Sequence, residues 1–528
     1  MLLGFLALTP LATAYPSSPS KIHWTGPCPA PNQTAPMTCG TLTVPLDYTD
    51  KTSNKTITLD IAKISGPAKQ PGGKSVLYNP GGPGEDSLKS MVNTGGELQA
   101  ILGDEVDIVT FNTRGLGNTI PFSCYDTDTL RAAALESPLL TNTSDTAPAT
   151  VWASASNLAG SCYAKLNQTG DLYGTAFIAR DMMQIVDALG EDGLLHYWGF
   201  SYGTLLGATV AAMFPDRMGN VVLDGVLNPY QYYNGYDEEQ LKDADLVFSG
   251  ICSACYDAPG PLCPLQTLAP NRAALETLLY STLDTLKYHP IPLGESFKMD
   301  YETLKGEIFT ALYQTSSWPG LAETLFWVVT EDIRSLYAAA VKSAATTDFP
   351  NESNQGIKCG DKTIRTPDFD DFEPIMELAH KASRIIGDVN THINMQCAQW
   401  HMSAKERYNG DFHVKTRTPI LLIGNTYDPA TPFQSAQNVS EAFEGSVLLR
   451  NDGYGHTSLG QPSVCTGMAV RDYFLNNKLP EGGKVCEPSV QPFHIVNDTA
   501  VFQKRQLESG GEANMLRAMM SLGGKMAL

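Results

Sequence analysis

The stretch that decides the fold is residues 196–214, HYWGFSYGTLLGATVAAMF. The short apolar run at 196–200 predicts a buried strand, and residues 202–214, rich in Ala, Leu and Gly, predict a buried helix. Between them, Gly-Phe-Ser-Tyr-Gly at 199–203 fits the pattern G-x-S-x-G. In that pattern the serine lies on a strained turn from strand to helix, which lifts its hydroxyl clear of the sheet. The sequence therefore predicts Ser201 as a nucleophile.

The turn also predicts how an oxyanion would be held. Gly199 and Gly203 flank the serine because only glycine permits the close backbone approach there. The amide of Tyr202 lies at the helix N-terminus, where it can stabilise negative charge. A second amide should come from an early glycine-rich loop, and Asn-Pro-Gly-Gly-Pro-Gly at 79–84 is the good candidate, with Gly82 as the predicted donor. A phosphate loop is disfavoured because the G-K-[ST] ending is missing.

The base is expected late in the chain, because a nucleophile on this kind of turn is followed in order by the acid and then the histidine. His456 lies in a glycine-rich loop at 452–457, just after a predicted strand at 446–449. Three other late histidines fit less well. No predicted strand precedes His401 or His413, and His494 lies beyond the last expected strand. We therefore predict His456 as the general base.

Two aspartates compete for the role of orienting acid. Asp428 lies in the loop after the predicted strand at 420–424. A carboxylate there can accept the imidazole Nδ1–H, fix the tautomer and stabilise the imidazolium. Asp224 ends an earlier predicted strand at 221–223 and is the rival. Asp428 is favoured because its loop follows the last strand but one, and Asp224 is expected to bond loop backbone instead.

Strands alternate with helices up to about Asn228, which predicts a mostly parallel sheet with helices on both faces, an α/β fold. The region that follows reads mostly as helices and loops, and strand character then returns. The sheet is thus predicted to be interrupted by a large helical cap. The predicted division is a signal peptide at 1–14, the first part of the sheet domain at 15–228, the cap at 229–408, the second part of the sheet domain at 409–490, and a C-terminal tail at 491–528. Beyond Gln503 this tail is expected to be loosely held.

The N-terminus predicts secretion. An apolar run at 2–11, too short to span a bilayer, is followed by the small residues Ala-Thr-Ala at 12–14, which suits a signal peptidase. No other stretch is apolar enough to span a membrane, so the mature protein is expected to be soluble and extracellular. N-glycosylation sequons, which fit that location, occur at Asn32, Asn54, Asn142, Asn167, Asn351, Asn438 and Asn497.

The eleven cysteines fit disulfides in an oxidising compartment better than a zinc site, because no pair-of-pairs spacing with histidines occurs. Cys252, Cys255 and Cys263 form an odd cluster, so one thiol is expected to be free or paired elsewhere. For the rest, sequence order suggests Cys28 with Cys39, Cys124 with Cys162, Cys359 with Cys397, and Cys465 with Cys486.

The net charge of the chain argues against one class of partner, the nucleic acids. Lys and Arg number 36 against 56 Asp and Glu, a formal net charge of −20. Such a surface repels polyphosphate, so nucleic acid is not an expected partner. No metal or organic cofactor is implied either. The expected partner is a peptide or small-molecule substrate.

Several of these motifs resemble those of a known family. Gly-Gly-Pro-Gly at 81–84, the serine motif at 199–203 and Asp-Pro-x-Thr-Pro at 428–432 look like the prolyl iminopeptidase and tripeptidyl aminopeptidase branch of the α/β hydrolases. Residues 316–325 and 357–361 also resemble that group's cap. The resemblance covers most of residues 25–490. It implies an α/β-hydrolase fold and the release of short peptides or single residues from peptide N-termini.

The resemblance also implies that acidic cap residues hold the free amine of the substrate. The candidates Glu238, Glu239, Glu323 and Glu331 are present, but no spacing selects one, and Asp361 is expected to be structural. An esterase or amidase acting on small metabolites would need the same catalytic residues, so it stays the second hypothesis. A non-catalytic binding protein is the third, and the intact serine, acid and histidine argue against it.

Overall fold

The computed structural model describes residues 21–135, 139–344, 352–493 and 510–526. Four predictions concern residues outside these ranges: the signal peptide at 1–14, the sequons Asn351 and Asn497, and the rejected candidate base His494.

One large sheet holds ten of the strands in the described ranges, in the order β1-β2-β3-β5-β4-β6-β7-β10-β11-β12. Three pairs are antiparallel: β1 with β2, β2 with β3, and β3 with β5. The pairs that follow in this order, starting with β5 and β4 and ending with β11 and β12, are all parallel. The predicted mostly parallel sheet is thus confirmed. The strands are β1 His23–Pro27, β2 Met37–Pro45, β3 Thr56–Ile64, β4 Ser75–Asn79, β5 Asp107–Phe111, β6 Leu195–Phe200, β7 Met218–Asp224, β10 Leu421–Tyr427, β11 Val447–Tyr454 and β12 Val485–Cys486, with a separate hairpin of β8 Ile291–Gly294 and β9 Phe297–Met299.

Seventeen α-helices accompany the strands in the described part of the chain. None of them combines the length and apolar character that crossing a bilayer requires. They are α1 Ser87–Leu102, α2 Asp128–Leu135, α3 Ala147–Leu166, α4 Thr175–Leu189, α5 Tyr202–Met213, α6 Pro229–Asn234, α7 Ala244–Asp257, α8 Arg272–Leu286, α9 Tyr301–Leu312, α10 Trp318–Val329, α11 Ile333–Ala344, α12 Ser353–Asp361, α13 Phe369–Ala382, α14 Gly387–Ala398, α15 Phe433–Ala442, α16 Val464–Asn476 and α17 Gly510–Met526.

The central strands are buried on both faces, as their continuous apolar runs require. Every residue of β4, β5, β6 and β7 is buried. Successive side chains of a strand point to opposite faces, so Tyr197 of β6 packs with α4 and α5 while Trp198 packs with α1, α16 and α17. Helices therefore cover both faces of the sheet, and the carboxyl end of β6 opens into the site described below.

A helical region interrupts the sheet between β7 and β10, which are hydrogen-bonded neighbours. It contains α6 to α14 and the β8–β9 hairpin. Many of its apolar side chains, among them Phe248, Leu304 and Trp318, form a core cluster separate from those of the sheet. The intervening chain thus has its own packing, while the domain boundaries given above stay a prediction.

The C-terminal helix corrects one expectation. Rather than being loosely held, α17 buries Met515, Met519 and Leu522 in the same core cluster as α1. Glu97 of α1 accepts a hydrogen bond of 2.8 Å from Ser521 and pairs with Lys525. The prediction of a loose tail is therefore wrong for residues 510–526.

The four disulfides suggested by sequence order are present: Cys28–Cys39, Cys124–Cys162, Cys359–Cys397 and Cys465–Cys486. In the odd cluster Cys255 pairs with Cys263, and Cys252 is a buried free thiol. The expectation of one unpaired thiol in that cluster agrees with the structure.

A buried ion pair ties the loop after β5 to α4. Arg114 Nε donates to Asp181 Oδ2 over 2.7 Å, and both side chains are fully buried. The remaining guanidinium N–H groups reach the carbonyls of Pro45 and Leu46 at 2.8 and 2.6 Å, and the Tyr48 hydroxyl donates to Asp181. One side chain therefore joins the end of β2, the loop after β5 and α4.

We expect Arg114→Ala to lower the free energy of unfolding by about 3–5 kcal/mol, because it leaves Asp181 as an uncompensated buried charge. Lys415→Ala is the matched control: its ion pair with Glu444 is 2.6 Å long, but both side chains are about 70% exposed, so about 0–1 kcal/mol should be lost. Urea unfolding of both variants measures the difference. Equal losses would show that the buried network contributes no more than a surface pair.

Candidate active site

Ser201 occupies a strained turn between β6 and α5. Its φ of 54° and ψ of −122° are rare for any residue with a side chain. A Cβ added at Gly199 would lie 2.4 Å from the carbonyl oxygen of Gly203, and one added at Gly203 would lie 2.9 Å from that of Asn79. The two predicted glycines are thus positions where a side chain has no room.

Main-chain hydrogen bonds hold the turn from both sides. The Ser201 N–H donates to the carbonyl of Asp224 at the end of β7, over 3.1 Å. The Ser201 carbonyl accepts from the N–H and the hydroxyl of Thr204, at 2.8 and 2.6 Å. Because the backbone is anchored to the neighbouring strand and to α5, the main chain of Ser201 has a fixed position at the carboxyl end of β6.

His456 and Asp428 lie together in the loops after β11 and β10. His456 Nδ1 is 2.9 Å from Asp428 Oδ1. Asp428 is fully buried, and its two oxygens also accept from the N–H groups of Ala430, Thr431 and Thr457 at 2.8–2.9 Å and from the Thr431 hydroxyl at 2.7 Å. These bonds hold the Asp428 carboxylate in one orientation. When the His456 Nδ1–H donates to this carboxylate, the Nε2 atom of the same ring carries no proton and can accept one.

The helical region also contacts the histidine, through a residue that the sequence reasoning missed. The Tyr313 carbonyl, just after α9, accepts from the His456 N–H over 2.8 Å, and the two rings meet edge to face with centroids 4.9 Å apart. A Cβ at Gly455 would lie 2.7 Å from that carbonyl. The imidazole is therefore positioned from the helical region as well as from the sheet.

The rival acid, Asp224, is engaged elsewhere. Its buried carboxylate accepts from the N–H and the hydroxyl of Ser458, at 2.7 and 2.6 Å. Burial raises the pKa of Asp224 to about 6, with the nearby Asp428 charge adding to the rise. Asp224 thus stabilises the loop that carries His456, whereas Asp428 contacts the imidazole itself.

Asp361 is a second buried carboxyl group, and its contacts are structural. It accepts from the N–H and the hydroxyl of Thr175, the first residue of α4, at 2.9 and 2.6 Å, and from the Tyr232 hydroxyl at 3.2 Å. It therefore satisfies an amide at the start of α4. Burial raises the pKa of Asp361 to about 6.

These two carboxyl groups predict how stability depends on pH. A carboxyl whose pKa rises from 3.8 to about 6 on folding binds more protons in the native state, so its contribution is greatest below pH 4 and is lost as pH rises through 6. We expect the melting temperature to fall between pH 4.5 and pH 7.5. Asp361→Asn should flatten that slope in thermal unfolding, whereas a slope that it leaves unchanged would contradict the assignment.

The loop at 79–84 lies directly against the nucleophile. A Cβ at Gly81, where φ is +114°, would lie 2.9 Å from the Ser201 Cβ. The Gly81 N–H donates to Asn79 Oδ1 over 3.0 Å, so this amide is already engaged. Gly82 follows it beside Ser201, and Tyr202 opens α5, where first-turn amides have no partner within the helix. The predicted donors Gly82 and Tyr202 thus both adjoin the serine.

Two cavities meet at Ser201. The loop-side cavity, of about 680 Å³, is lined by Ser201, Gly82 and His456 together with Glu85, Lys525 and Met526. The cap-side cavity, of about 630 Å³, is also lined by Ser201 and Gly82. Its other walls come from the helical region, notably from α9 and α14: Glu302, Thr303, Gly306, Phe309, Val389, Asn390, His392, Ile393 and Gln396. A substrate bound across the serine would extend into both cavities.

The four acidic cap residues suggested by sequence lie away from these cavities. Glu239, for example, accepts hydrogen bonds from Asn228, Ser435 and Asn438. The acidic residue that lines the cap-side cavity is instead Glu302, in the first turn of α9, whose Oε1 accepts from the Thr143 hydroxyl at 2.6 Å. No local pattern distinguishes Glu302, because its position depends on how α9 packs over the serine.

The arrangement suits acyl transfer. A hydroxyl on a strained turn, an imidazole bonded to a buried carboxylate and backbone amides beside the hydroxyl are the groups that covalent catalysis by serine requires. In the ranges that the structure describes, no three His, Cys, Asp or Glu side chains are grouped as metal ligands would be.

Comparison with known proteins agrees with this geometry. Residues 74–242 match the family model described as alpha/beta hydrolase fold, and residues 383–486 match the one described as TAP-like protein. A tripeptidyl aminopeptidase of Streptomyces lividans is 27% identical over 481 residues, covering 87% of this chain and 86% of that protein. The serine protease Hip1 of Mycobacterium tuberculosis is 26% identical, covering 90% and 92%, and a carboxylesterase B of the same species is 25% identical, covering 85% and 86%. The chain therefore has the α/β-hydrolase fold with a region that matches the TAP-like family model, and over most of its length it is similar to proteins named tripeptidyl aminopeptidase and serine protease.

Proposed function

We propose that this protein is a serine peptidase that releases short peptides or single residues from the N-termini of peptides. The observation that carries the proposal is the 2.9 Å contact between His456 Nδ1 and the buried Asp428, beside a cavity that Ser201 also lines. Two of the relatives above are named as a tripeptidyl aminopeptidase and a serine protease. A peptidase needs those three groups and room on both sides of the serine.

In the proposed reaction Ser201 Oγ attacks the scissile carbonyl, and His456 Nε2 takes the hydroxyl proton. Asp428 holds the imidazole and stabilises its protonated form. The Gly82 and Tyr202 amides donate to the oxyanion. His456 then returns the proton to the leaving amine as the carbon–nitrogen bond breaks. Water, activated by the same histidine, hydrolyses the acyl-enzyme and frees Ser201.

Glu302 is the proposed anchor for the free amine of the substrate. Its position in the cap-side cavity would let it accept a charge-assisted hydrogen bond from an ammonium group. The cationic side chain that lines the same cavity, Lys358, is already paired with Asp237 at 3.2 Å. A carboxylate facing this cavity therefore favours a substrate with a free amine over one that is N-blocked.

An esterase is the second candidate function, because one relative is named carboxylesterase B and the catalytic groups would be the same. The distinction lies in the cavities rather than in the triad. The cap-side cavity carries Glu302, Gln240, Asn390 and Gln396 among its lining residues. These polar side chains stand among apolar ones such as Leu227, Phe309 and Ile393, and they would give a peptide hydrogen-bonding partners that a purely apolar acyl chain does not need.

We also propose that the protein is secreted and glycosylated, which the five disulfides support. Among the sequons within the described ranges, Asn438 differs from the others. Its Nδ2, the atom that a glycan would modify, donates to the buried Glu239 over 2.6 Å. The proposed glycan sites are the four exposed ones: Asn32, Asn54, Asn142 and Asn167.

The test is a matched substrate panel given to the purified protein, to Ser201→Ala and to Glu302→Gln. The panel holds free-amine aminoacyl and tripeptidyl amides, their N-blocked versions and short acyl esters. We expect the wild type to cut free-amine peptides, Ser201→Ala to cut nothing, and Glu302→Gln to raise KM for free-amine substrates alone. Cleavage of esters without cleavage of any peptide would overturn the peptidase proposal in favour of an esterase.

A further inference from the structure

A buried asparagine of the sheet holds the loop that carries His456. Asn425 lies on β10, three residues before Asp428, and is fully buried. Its Nδ2 donates to the carbonyl of Gly455 over 2.7 Å and also to the carbonyl of Thr457. These two residues are the neighbours of His456 in the chain. Both N–H groups of one side chain therefore bind the main chain next to the proposed base.

The partners of Asn425 permit only this orientation of its amide. A carbonyl oxygen accepts and cannot donate, so the side-chain nitrogen has to face Gly455 and Thr457. Its Oδ1 accepts from the Nδ2 of Asn451, the register partner of Asn425 on β11, over 2.9 Å. The Nδ2 of Asn451 also donates to the carbonyl of Gln461 over 3.1 Å, so that amide cannot turn either. Both donors and the oxygen of Asn425 are thus paired.

The segment that Asn425 binds has a strained backbone. Thr457 has a φ of +61°, a left-handed conformation that β-branched residues rarely adopt, and Gly455 has a φ of +94°. Such conformations persist only where the surrounding structure determines them. The N–H groups of these two residues donate to the Tyr427 carbonyl and to Asp428, at 3.0 and 2.8 Å. Asn425 completes this support by binding the two carbonyls.

We infer that Asn425 is a positioning residue for the general base. The inference rests on the proposed reaction, in which His456 takes the proton of Ser201. The imidazole is attached to the main chain between the two carbonyls that Asn425 binds, so this amide determines where the ring lies relative to Ser201 and Asp428. Asn425 is fully buried and lines neither of the two cavities beside the serine. Its effect on catalysis therefore acts through His456 and not through contact with the substrate.

A second buried asparagine separates this role from simple support of the sheet. Asn220 on β7 is 1% exposed. Its Nδ2 donates to the Tyr473 carbonyl and to Asn477 Oδ1, at 2.9 and 3.1 Å, and its Oδ1 accepts from Lys74 over 2.8 Å. The set of bonds is the same, two donated and one accepted, but Asn220 lies toward the end of β7 that is remote from Ser201. It is the matched control.

The test compares Asn425→Ala with Asn220→Ala in the full-length protein, on the substrate that the wild type cuts best. Both variants should lower the melting temperature, because each removes the hydrogen bonds of a buried amide. Asn425→Ala should also lower kcat by about 10- to 100-fold at nearly unchanged KM, since a displaced base slows the reaction and leaves the cavities intact. Labelling of Ser201 by a phosphonylating reagent should slow by the same factor. Asn220→Ala should keep kcat within about twofold of wild type.

Asn425→Asp keeps the shape of the side chain and serves if Asn425→Ala does not fold. An ionised carboxylate would present an acceptor, in place of two donors, to the carbonyls of Gly455 and Thr457. The ratio of variant to wild-type kcat should be lowest at pH 8.5. It should rise as the pH falls to 5, because a protonated carboxyl can donate to one of the carbonyls. Asn220→Asp should show no such dependence of kcat on pH.

The outcomes separate this role from the proposed function. If Asn425→Ala lowers kcat no more than Asn220→Ala does, Asn425 is structural and the inference is wrong, while the hydrolase stands. Should Asn425→Ala not fold, a wild-type kcat of Asn425→Asp at pH 8.5 would lead to the same conclusion. A change in KM alone would place the effect in substrate binding and also overturn the inference. If the wild type cuts esters alone, the peptidase proposal fails, and the same variants test Asn425 on the ester.

Discussion

Ser201→Ala should lower kcat on the best peptide substrate by roughly 10⁵- to 10⁶-fold, the largest effect expected of any single change in this protein. Without the hydroxyl no acyl-enzyme forms, and the amides of Gly82 and Tyr202 leave only a residual rate. The turn itself should survive, because its hydrogen bonds run through main-chain atoms. The measurement is kcat with active-site titration, together with the melting temperature.

The control for this variant is Ser90→Ala, since Ser90 also lines the loop-side cavity and its hydroxyl is hydrogen-bonded to the Tyr78 hydroxyl, at 3.3 Å. It should keep kcat within tenfold of wild type. A phosphonylating reagent should label the wild type once and Ser201→Ala not at all. Adding His456→Ala to Ser201→Ala should cost almost nothing more, because groups that act as one unit are not additive. A Ser201→Ala variant that retained several per cent of wild-type kcat would exclude Ser201 as the nucleophile.

The residues brought together around Ser201 could be predicted because each follows a strand. In a parallel sheet the carboxyl ends of the strands share one edge, so residues just after β6, β10 and β11 have to meet there. The extent of the strands was harder to predict. β11 runs to Tyr454, past the predicted end at 449, because Tyr454 pairs with Tyr427 of β10 and their rings stack at 4.9 Å. The polar residues within β11 had favoured a loop.

The helical region could be predicted only in outline. Glu302 and Tyr313 line the cavity beside the serine because of packing between helices distant in sequence, and no local spacing encodes that packing. The C-terminal helix is a different case. Met515, Met519 and Leu522 recur at helical spacing, so the prediction of a loose tail overlooked a pattern that the sequence does contain.

Asp428→Asn should lower kcat by roughly 10⁴-fold, and Asp224→Asn by less than tenfold. The carboxylate Oδ1, 2.9 Å from His456 Nδ1, fixes the tautomer. An asparagine whose oxygen keeps accepting from the Thr431 hydroxyl and the Thr457 N–H, at the Oδ2 position, would place its NH₂ group at the Oδ1 position, toward the ring. Nδ1 would then accept and Nε2 would carry the proton, so the histidine could no longer take one from Ser201. Asp224 contacts Ser458 and not the ring, so its loss acts only through the loop.

The two variants are compared by kcat across pH and by thermal unfolding. Asp428→Asn should lower kcat at every pH between 5 and 9. The variant holds His456 in the wrong tautomer, and a change of pH does not correct a tautomer as it would restore a charge. Asp224→Asn should raise the melting temperature above pH 6. In the wild type the pKa of this carboxyl is about 6, so above that pH a charge is buried, which destabilises the folded state. The opposite ranking, with Asp224→Asn the inactive variant, would assign the acid to the end of β7. The contact at His456 Nδ1 would then be structural, so this pair of variants separates the two roles that sequence order left open.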